Sequence, residues 1–369
     1  MLQLAAAIAA LCGLTYNAFC TVAALSFPRQ RTSDFTPPVT ILKPLRGADP
    51  HAYDCLRSHC VQDYPAYEVL FGVADSNDPA IPTVERLSRE FPNIRLLVFP
   101  EAREPNRKVG TLARMLASTR YDHLVISDSD ILVTPDYLRT VISLLSDPAV
   151  GLVTSLYRGL PGRTIWSQLE ALGIVDFAAG VLLAYRGKFH YGFGSTLALS
   201  RQTLDAIGGL AQFADYLADD YQLATAVARS GKKVTLAPRA VATVLPDYSF
   251  AQFWSHQLRW ARTIRDANPA GYLGLLLTLG IVWSIVALIA SRGALWAWAL
   301  LMANTLLRIF TTLSTAKVLE DDRRLSHLLL LPLRVVFEPI MWAASWLGNT
   351  ITWRGETFRL RRGKLEKRS

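Results

Sequence analysis

The stretch "HLVISDSDI" (123–131) runs a short apolar segment straight into Asp128, Ser129 and Asp130. Such a segment reads as a buried strand, and the acidic triplet as the point where the chain leaves the core. On an extended chain successive side chains alternate, so Asp128 and Asp130 are expected to point to one side. Two carboxylates aimed at one point repel unless a proton or a cation lies between them. A hard divalent ion whose shell is completed by phosphate oxygens is the economical partner, and a solvated turn is the alternative.

Working outward, "VTILKPLRG" (39–47), "YEVLFGVAD" (67–75) and "IRLLVFP" (94–100) read as further strands, with helical patterns at 51–63, 81–91 and 108–119 between them. This alternation predicts βα units around a parallel sheet, which binds ligands beyond the carboxyl ends of its strands. Lys43 and Asp75 stand at two of those ends, as Asp128 and Asp130 do at another. No GxGxxG or GxxxxGK[ST] stretch follows the first strand, which argues against a dinucleotide oxidoreductase and a P-loop ATPase. Further on, Gly192 and Gly194 in "GFGSTLALS" (192–200) either let the backbone approach a ligand or make a turn. Asp219 and Asp220 in "YLADDYQLATAVARSGKKV" (216–234) open a helix, either as dipole-compensating acids or with one of them serving as a general base.

Composition adds a membrane. The 369 residues are 51% hydrophobic and 19% charged, and a mean hydropathy of +0.22 suits a soluble body carrying a few spans. Residues 1–28 read as an uncleaved anchor closed by Arg29 and Arg31, the wrong flank for a signal peptide. The soluble body occupies 36–265. Tyr272–Ala290 contains no charge over nineteen residues, and Leu295–Ala316 carries only Arg308, which is expected to face protein or headgroups. Residues 325–348 are interrupted by Pro332, Arg334, Glu338 and Pro339, and read as a broken span or an interfacial or re-entrant segment. The tail, 349–369, is basic, with seven Lys/Arg against two Glu from 353 onward, and is expected to stay on the inner side. The net charge of +9 crowds near the membrane segments, which suits anionic lipid better than nucleic acid. The apolar segment 168–192 is either core or an interfacial helix, with His190 near an acceptor or simply structural. Cys12, Cys20, Cys55 and Cys60 lack zinc-ligand spacing and are expected to be packed free thiols. The stretch "AQFWSHQLRWARTIR" (251–265) sets Arg259, Trp260, Arg262 and Arg265 against the membrane segments, either as part of a site or as a basic belt.

Asp75, the Asp128-x-Asp130 pair, Asp220 in "ADDY" and the Arg259-Trp260 pair together resemble the four signatures of the family-2-like inverting glycosyltransferases. The phrases "LKPLRGADP", "DYPAYEVLFGVADSNDPA" and "GGLAQFADYLADDY" are similar to ceramide glucosyltransferases and to the related hopanoid-biosynthesis-associated glycosyltransferases of bacteria. The resemblance covers nearly the whole chain and implies an α/β fold of the GT-A, Rossmann-like type joined to N- and C-terminal transmembrane helices. It implies that Asp75 contacts a nucleotide base and that Lys43 and Lys108 contact the donor. Asp128 would hold the ribose side and Asp130 a Mg²⁺ or Mn²⁺ ion, with Asp220 as the base. Arg259 and Trp260 would border the diphosphate and the acceptor channel. The departures are His256, beside Gln257, at the start of the Arg-Trp motif, and Gly110 and Thr111 where Asn is common. The implied reaction moves glucose from UDP-glucose to ceramide, with transfer of N-acetylglucosamine from its UDP donor to phosphatidylethanolamine as the alternative. The implied setting is the bacterial inner membrane, with the catalytic domain facing the cytoplasm. A non-catalytic lipid-binding membrane protein would explain the spans but has no use for four aspartates at strand ends.

Overall fold

The computed structural model describes the chain except at residues 29–32, 48, 50, 102–103, 188–189, 354 and 368–369. Arg29, Arg31 and Phe189, which the sequence places beside apolar segments, therefore lie outside the described residues. After the long apolar helix α1 (Leu2–Leu25), three βα units follow in turn: β1 (Val39–Leu45), α2 (Ala52–Cys60), β2 (Tyr67–Val73), α3 (Ile81–Glu90), β3 (Ile94–Val98) and α4 (Arg107–Met115). β4 (His123–Ile126) then pairs parallel to β1, so the first four strands lie in the order β3-β2-β1-β4. The residues of β1, β2 and β4 are almost wholly buried, as strands covered on both faces must be, whereas the edge strand β3 buries only Ile94.

The chain reverses after β4. The two-residue β5 (Ile131–Leu132), α5 (Tyr137–Ile142), β6 (Val150–Thr154), β7 (Tyr157–Leu160), α6 (Ile165–Tyr185), β8 (Leu197–Ser200), α7 (Arg201–Ala206), α8 (Asp219–Arg229), β9 (Lys233–Leu236) and β10 (Val241–Val244) complete the body. β8 inserts antiparallel between β4 and β6, giving a seven-stranded sheet in the order β3-β2-β1-β4-β8-β6-β9, while β5, β10 and β7 form a small second sheet. The expected α/β, Rossmann-like layering is present, with one antiparallel strand inside it. α6 carries eleven buried residues, and its Thr164 cap accepts from the Ser167 amide. It therefore serves as core along much of its length.

A capping box of Ser249 and Gln252 starts α9 (Phe250–Ala267), and α10 (Pro269–Gly274), α11 (Gly280–Ala290), α12 (Leu295–Val318) and α13 (Arg324–Ser345) follow. The segment Tyr272–Ala290, expected as a span, is bent: the helices on either side of Leu279 meet at 55°. Gly280 lies at the break with its backbone against Gly13 of α1, too close for any Cβ. The indole of Trp283 donates to the Leu276 carbonyl at 2.8 Å, restoring a partner to a carbonyl near the break. α1, α11 and α12 pack together through Ala6, Ala9, Ala10 and Gly13, the small residues that let helix backbones approach in lipid. Asn304 donates to the Ala10 carbonyl at 3.3 Å and to Ser284 at 3.0 Å, while Thr21 and Thr311 bond at 2.8 Å. Gln3 reaches the Ala290 carbonyl, so the start of α1 meets the end of α11.

In α13, where the sequence leaves a broken span open, the helix is continuous over 22 residues despite Pro332 and Pro339. Its two ends both reach the soluble body. Before it, Glu320 pairs with Arg239 at 3.1 Å and accepts from Arg158; after it, the Ser345 and Gly348 carbonyls accept from Arg265 of α9. The tail is also corrected. It folds into an antiparallel sheet of β11 (Thr350–Trp353), β12 (Glu356–Arg361) and β13 (Lys364–Lys367), whose Ile351, Phe358, Leu360 and Leu365 pack on Leu217. Arg265 is buried in holding this junction, and Arg262 donates to the Thr350 carbonyl, so neither is a solvated basic belt. All four cysteines are free, but Cys12 is exposed on α1 rather than packed.

Candidate active site

A cavity of about 1120 Å³ opens above the carboxyl ends of β1, β2 and β4 and runs to Tyr272 and Leu275 at the start of the broken helix pair. One end is acidic and the other aromatic. Asp75, Asp128, Asp130, Asp219, Asp220 and Lys108 line the first, while Tyr157, Phe177, Tyr248, His256, Arg259 and Trp260 line the second. The sequence-derived candidates thus converge, with one exception.

The exception is Lys43. It is fully buried and does not line the cavity; its ammonium donates to the Asp128 carbonyl at 2.7 Å and to Ser127 Oγ at 3.2 Å, beside His59. Burial pushes the Lys43 ammonium down to about 8 and holds His59 well below its ordinary value. The expected donor contact is therefore replaced by a brace beneath the Asp128 backbone, because Lys43 points into the layer under the sheet's end.

Asp128 and Asp130 do share one space, but not by strand alternation. β4 ends at Ile126, and Ser129 and Asp130 lie in a turn. The Asp128 amide donates to the Gly194 carbonyl at 2.9 Å, and its Oδ1 meets the Lys108 ammonium at 2.7 Å. Thr243 of β10 donates to Asp130 Oδ2 at 2.8 Å. Gly194 lies in a turn, and a Cβ there would collide with Asp128 Oδ2, so its backbone packs against Asp128 rather than being shown to approach a ligand. Burial first, and the Asp128 charge second, push the Asp130 carboxyl above its ordinary value. A cation would relieve that pair. Among the described residues no three His, Cys, Asp or Glu side chains cluster as a metal cage. Two carboxylate donors on an open wall nevertheless fit a hard divalent ion that takes its remaining ligands from phosphate and water.

Asp219 and Asp220 begin α8, and they differ in their partners. Asp219 Oδ2 lies 3.4 Å from Lys108 Nζ, and its Oδ1 accepts from Asn106, which itself caps α4. Asp220 Oδ2 accepts only the Gly194 amide, at 2.9 Å, and Oδ1 its neighbour's amide, Tyr221, at 2.8 Å. Burial, followed by the adjacent Asp219 carboxylate, pushes Asp220 up to about 7. Burial alone would lower Lys108, but Asp128, Asp219 and Asp220 hold it above its ordinary value, so it remains an ammonium. The site therefore sets a carboxyl tuned to titrate near neutrality beside a fixed positive charge.

At the aromatic end, Trp260 packs edge-on against Phe177 at 5.9 Å and against Tyr157 at 6.4 Å. His256 and Gln257 resolve the motif's departure together, for both hold Glu170 of α6: His256 Nδ1 lies 3.0 Å from Oε1, and Gln257 donates to Oε2 at 2.6 Å. Glu170 also lines the cavity and escaped the reading of 168–192, as did Asp176. Asp176 pairs with Arg308 at 2.8 Å and Arg334 at 3.0 Å, and Arg308 with Glu338 at 2.6 Å. Arg308 thus faces protein, as expected. A signal existed, since two acids in an otherwise apolar helix need cationic or donor partners. His190 instead lines a second cavity with Tyr185 and Lys232, away from Trp260 and Arg259.

A sheet with this strand order and a carboxylate-lined cleft at its carboxyl edge defines a GT-A-type domain, here joined to several helices long and apolar enough for a multi-pass membrane protein. The chain belongs to glycosyl transferase family 21, whose model matches residues 5–366. Among curated proteins it is similar to ceramide glucosyltransferase 1 of Caenorhabditis elegans, 27% identical over 61% of this chain and 49% of that protein. Ceramide glucosyltransferase 3 of the same organism is 23% identical over 88% of this chain and 73% of that one. Ceramide glucosyltransferase of Komagataella phaffii is 33% identical, but over 32% of this chain and 25% of its own length. The chain thus spans about half the length of the first of these relatives. In fold it is similar to the mannosyltransferase PcManGT from Pyrobaculum calidifontis, solved with GDP-Man and Mn²⁺, with a TM-score of 0.56 and 21% identity over 92% of this chain and 99% of that one.

Proposed function

We propose that the protein is an inverting glycosyltransferase that moves a sugar from a UDP-sugar to a membrane lipid, with UDP-glucose and ceramide as the pair. The observation that carries this is Asp220: a half-buried carboxylate pushed up to about 7, in a cavity whose one end gathers anion-handling groups and whose other end is aromatic and meets the membrane helices. Asp75, exposed on the cavity wall, would contact the base, and Lys108, on the same wall, the leaving diphosphate. Asp128 and Asp130 would hold a divalent ion, which supplies charge neutralisation to the diphosphate when bound. Asp220 takes the proton of the acceptor hydroxyl as that oxygen forms its bond to the anomeric carbon and the bond to the diphosphate oxygen breaks. Attack from the face opposite the leaving group inverts the anomeric centre without a second carboxylate nucleophile. Trp260, Phe177 and Tyr157 offer an apolar wall to a lipid head entering from the bilayer.

The PcManGT complex and the ceramide glucosyltransferases support the nucleotide-sugar and lipid parts of this reading. In membrane terms, α1, the bent pair over Pro269–Thr278 and Gly280–Ala290, and α12 cross the bilayer, and α13 lies along its inner surface, because its two ends return to the catalytic body. The body faces the cytoplasm. The test offers UDP-glucose and UDP-N-acetylglucosamine separately to purified protein in nanodiscs carrying ceramide or phosphatidylethanolamine, with Mn²⁺ or excess chelator. Glucosylceramide formed only with the metal is the expected product. N-acetylglucosaminyl phosphatidylethanolamine would replace the substrate pair, and no glycolipid under any combination would overturn the activity.

A further inference from the structure

The C-terminal sheet meets the elements that carry the site at four places. Leu217, two residues before Asp219, packs into its core, and the Leu217 amide donates to the Gly363 carbonyl at 3.2 Å. Arg262 of α9, one turn from Arg259, donates to Thr350. Glu356 of β12 gathers Arg46, from the loop after β1, at 2.9 Å, and Arg107, at the start of α4, at 3.1 Å. Lys367 approaches the same carboxylate at 3.5 Å. Arg46, Arg107, Thr352 and Trp353 all line the main cavity, and Arg107 directly precedes Lys108. The Glu356 carboxyl is held below its ordinary value; burial opposes this, but Arg46 and Arg107 outweigh it.

We propose that the C-terminal sheet is a wall of the nucleotide-sugar site, in which Trp353 packs against the bound nucleoside diphosphate sugar and Glu356 positions Arg46 and Arg107 toward its anionic part. This rests on the donor reading above and adds residues to it. Arg46 and Arg107 thus bring two guanidinium groups to one rim of the cavity, the donor type that recognises a diphosphate. Two arginines on separate elements also need a shared partner to hold one geometry, since each long side chain otherwise loses rotamer freedom when the ligand binds. Glu356 is thus a positioning residue, and Trp353 a contact. Packing on Leu217 ties the same sheet to the loop that delivers Asp219 and Asp220, so the tail links the donor wall to the base.

The test uses the full-length protein in nanodiscs with UDP and Mn²⁺ as the binding probe, and UDP-glucose with ceramide for turnover. Glu356→Gln should weaken UDP binding about fivefold, the scale of a half-exposed ion pair, and raise the donor KM by the same factor, with a much smaller change in kcat. Glu356→Asp should recover most of the loss, and Trp353→Ala should also weaken UDP binding. Hydrogen exchange on the unmutated protein provides a second reading that needs no variant to fold: UDP should protect amides of β11 and β12. Unchanged or tighter UDP binding in both Glu356→Gln and Trp353→Ala, or no protection of this sheet on saturation, overturns the inference while leaving the donor reading intact. Failure of the unmutated protein to bind any UDP overturns the donor reading, and this inference with it.

Discussion

Asp220 and Asp219 are adjacent, both half-buried, and held differently, so their replacements separate the two roles. Asp220→Asn keeps the shape and the Gly194 contact but removes the proton acceptor. It should lower kcat by roughly 10²–10⁴-fold, the usual share of general base catalysis. UDP affinity by calorimetry should change little, because the hydrogen bonds of Asp220 go to the Gly194 and Tyr221 amides, while Asp128 and Asp219 are the carboxylates paired directly with Lys108. Asp219→Asn should cost transfer far less. A dead Asp219→Asn beside an active Asp220→Asn would move the base by one residue. The base must be ionised to work, so kcat/KM, which reports the free protein, should fall about tenfold per unit as pH drops below about 7 and level off above it. A flat profile from pH 5 to 8 would remove Asp220 from that role. At this scale the sequence shows the acids plainly, since Asp75, Asp128, Asp130 and Asp220 stand where strands and a helix begin or end. Lys43 misleads for a physical reason: a lysine at a strand end looks solvent-directed, and only the fold brings His59, Ser127 and the Asp128 carbonyl around it. Glu170 is hidden for the opposite reason, lying in an apolar helix whose partners, His256 and Gln257, come from a helix eighty-odd residues away.

Among the elements, the βα alternation is readable because each strand is a continuous apolar run and each helix an amphipathic one. The turn that carries Asp130 is not, since β4 and β5 are separated only by polar residues that an extended strand could also carry. The Tyr272–Ala290 segment looks like one span because its composition is uniform; the break lies beside a tertiary contact with Gly13, which composition does not record. Gly13→Leu should therefore force α1 and α11 apart and lower thermal stability in detergent by about 1–3 kcal/mol, the usual cost of overpacking. Cys12→Leu, one residue away on the exposed face, should leave the melting curve nearly unchanged. Equal curves for all three proteins would mean that the Gly13–Gly280 contact does not hold the bundle. The tail is a case in which charge hid a pattern: Ile351, Phe358, Leu360 and Leu365 alternate with polar residues on either side of Gly355 and Gly363, a hairpin signature outweighed by the basic count.

Over the whole molecule, the cavity joins an acidic wall built by the sheet to an aromatic wall built by α6 and α9, and the buried Asp176–Arg308–Glu338–Arg334 cluster ties α6 to α12 and α13. The proposed topology follows from both ends of α13 returning to the body. In a background without native cysteines, Arg292→Cys, in the turn between α11 and α12, should react with an impermeant thiol reagent from the outside of sealed cells. Glu366→Cys in β13 should react only after the membrane is opened; labelling of both from outside would make α13 a span. The central claim is a single displacement onto a lipid hydroxyl driven by Asp220, and the anomeric configuration of the product tests it most directly. Purified protein supplied with α-linked UDP-glucose and ceramide should yield a glycolipid whose anomeric proton, read by NMR, is β, and Asp220→Asn should yield almost none. An α-linked product, or an undiminished yield from Asp220→Asn, would contradict the account.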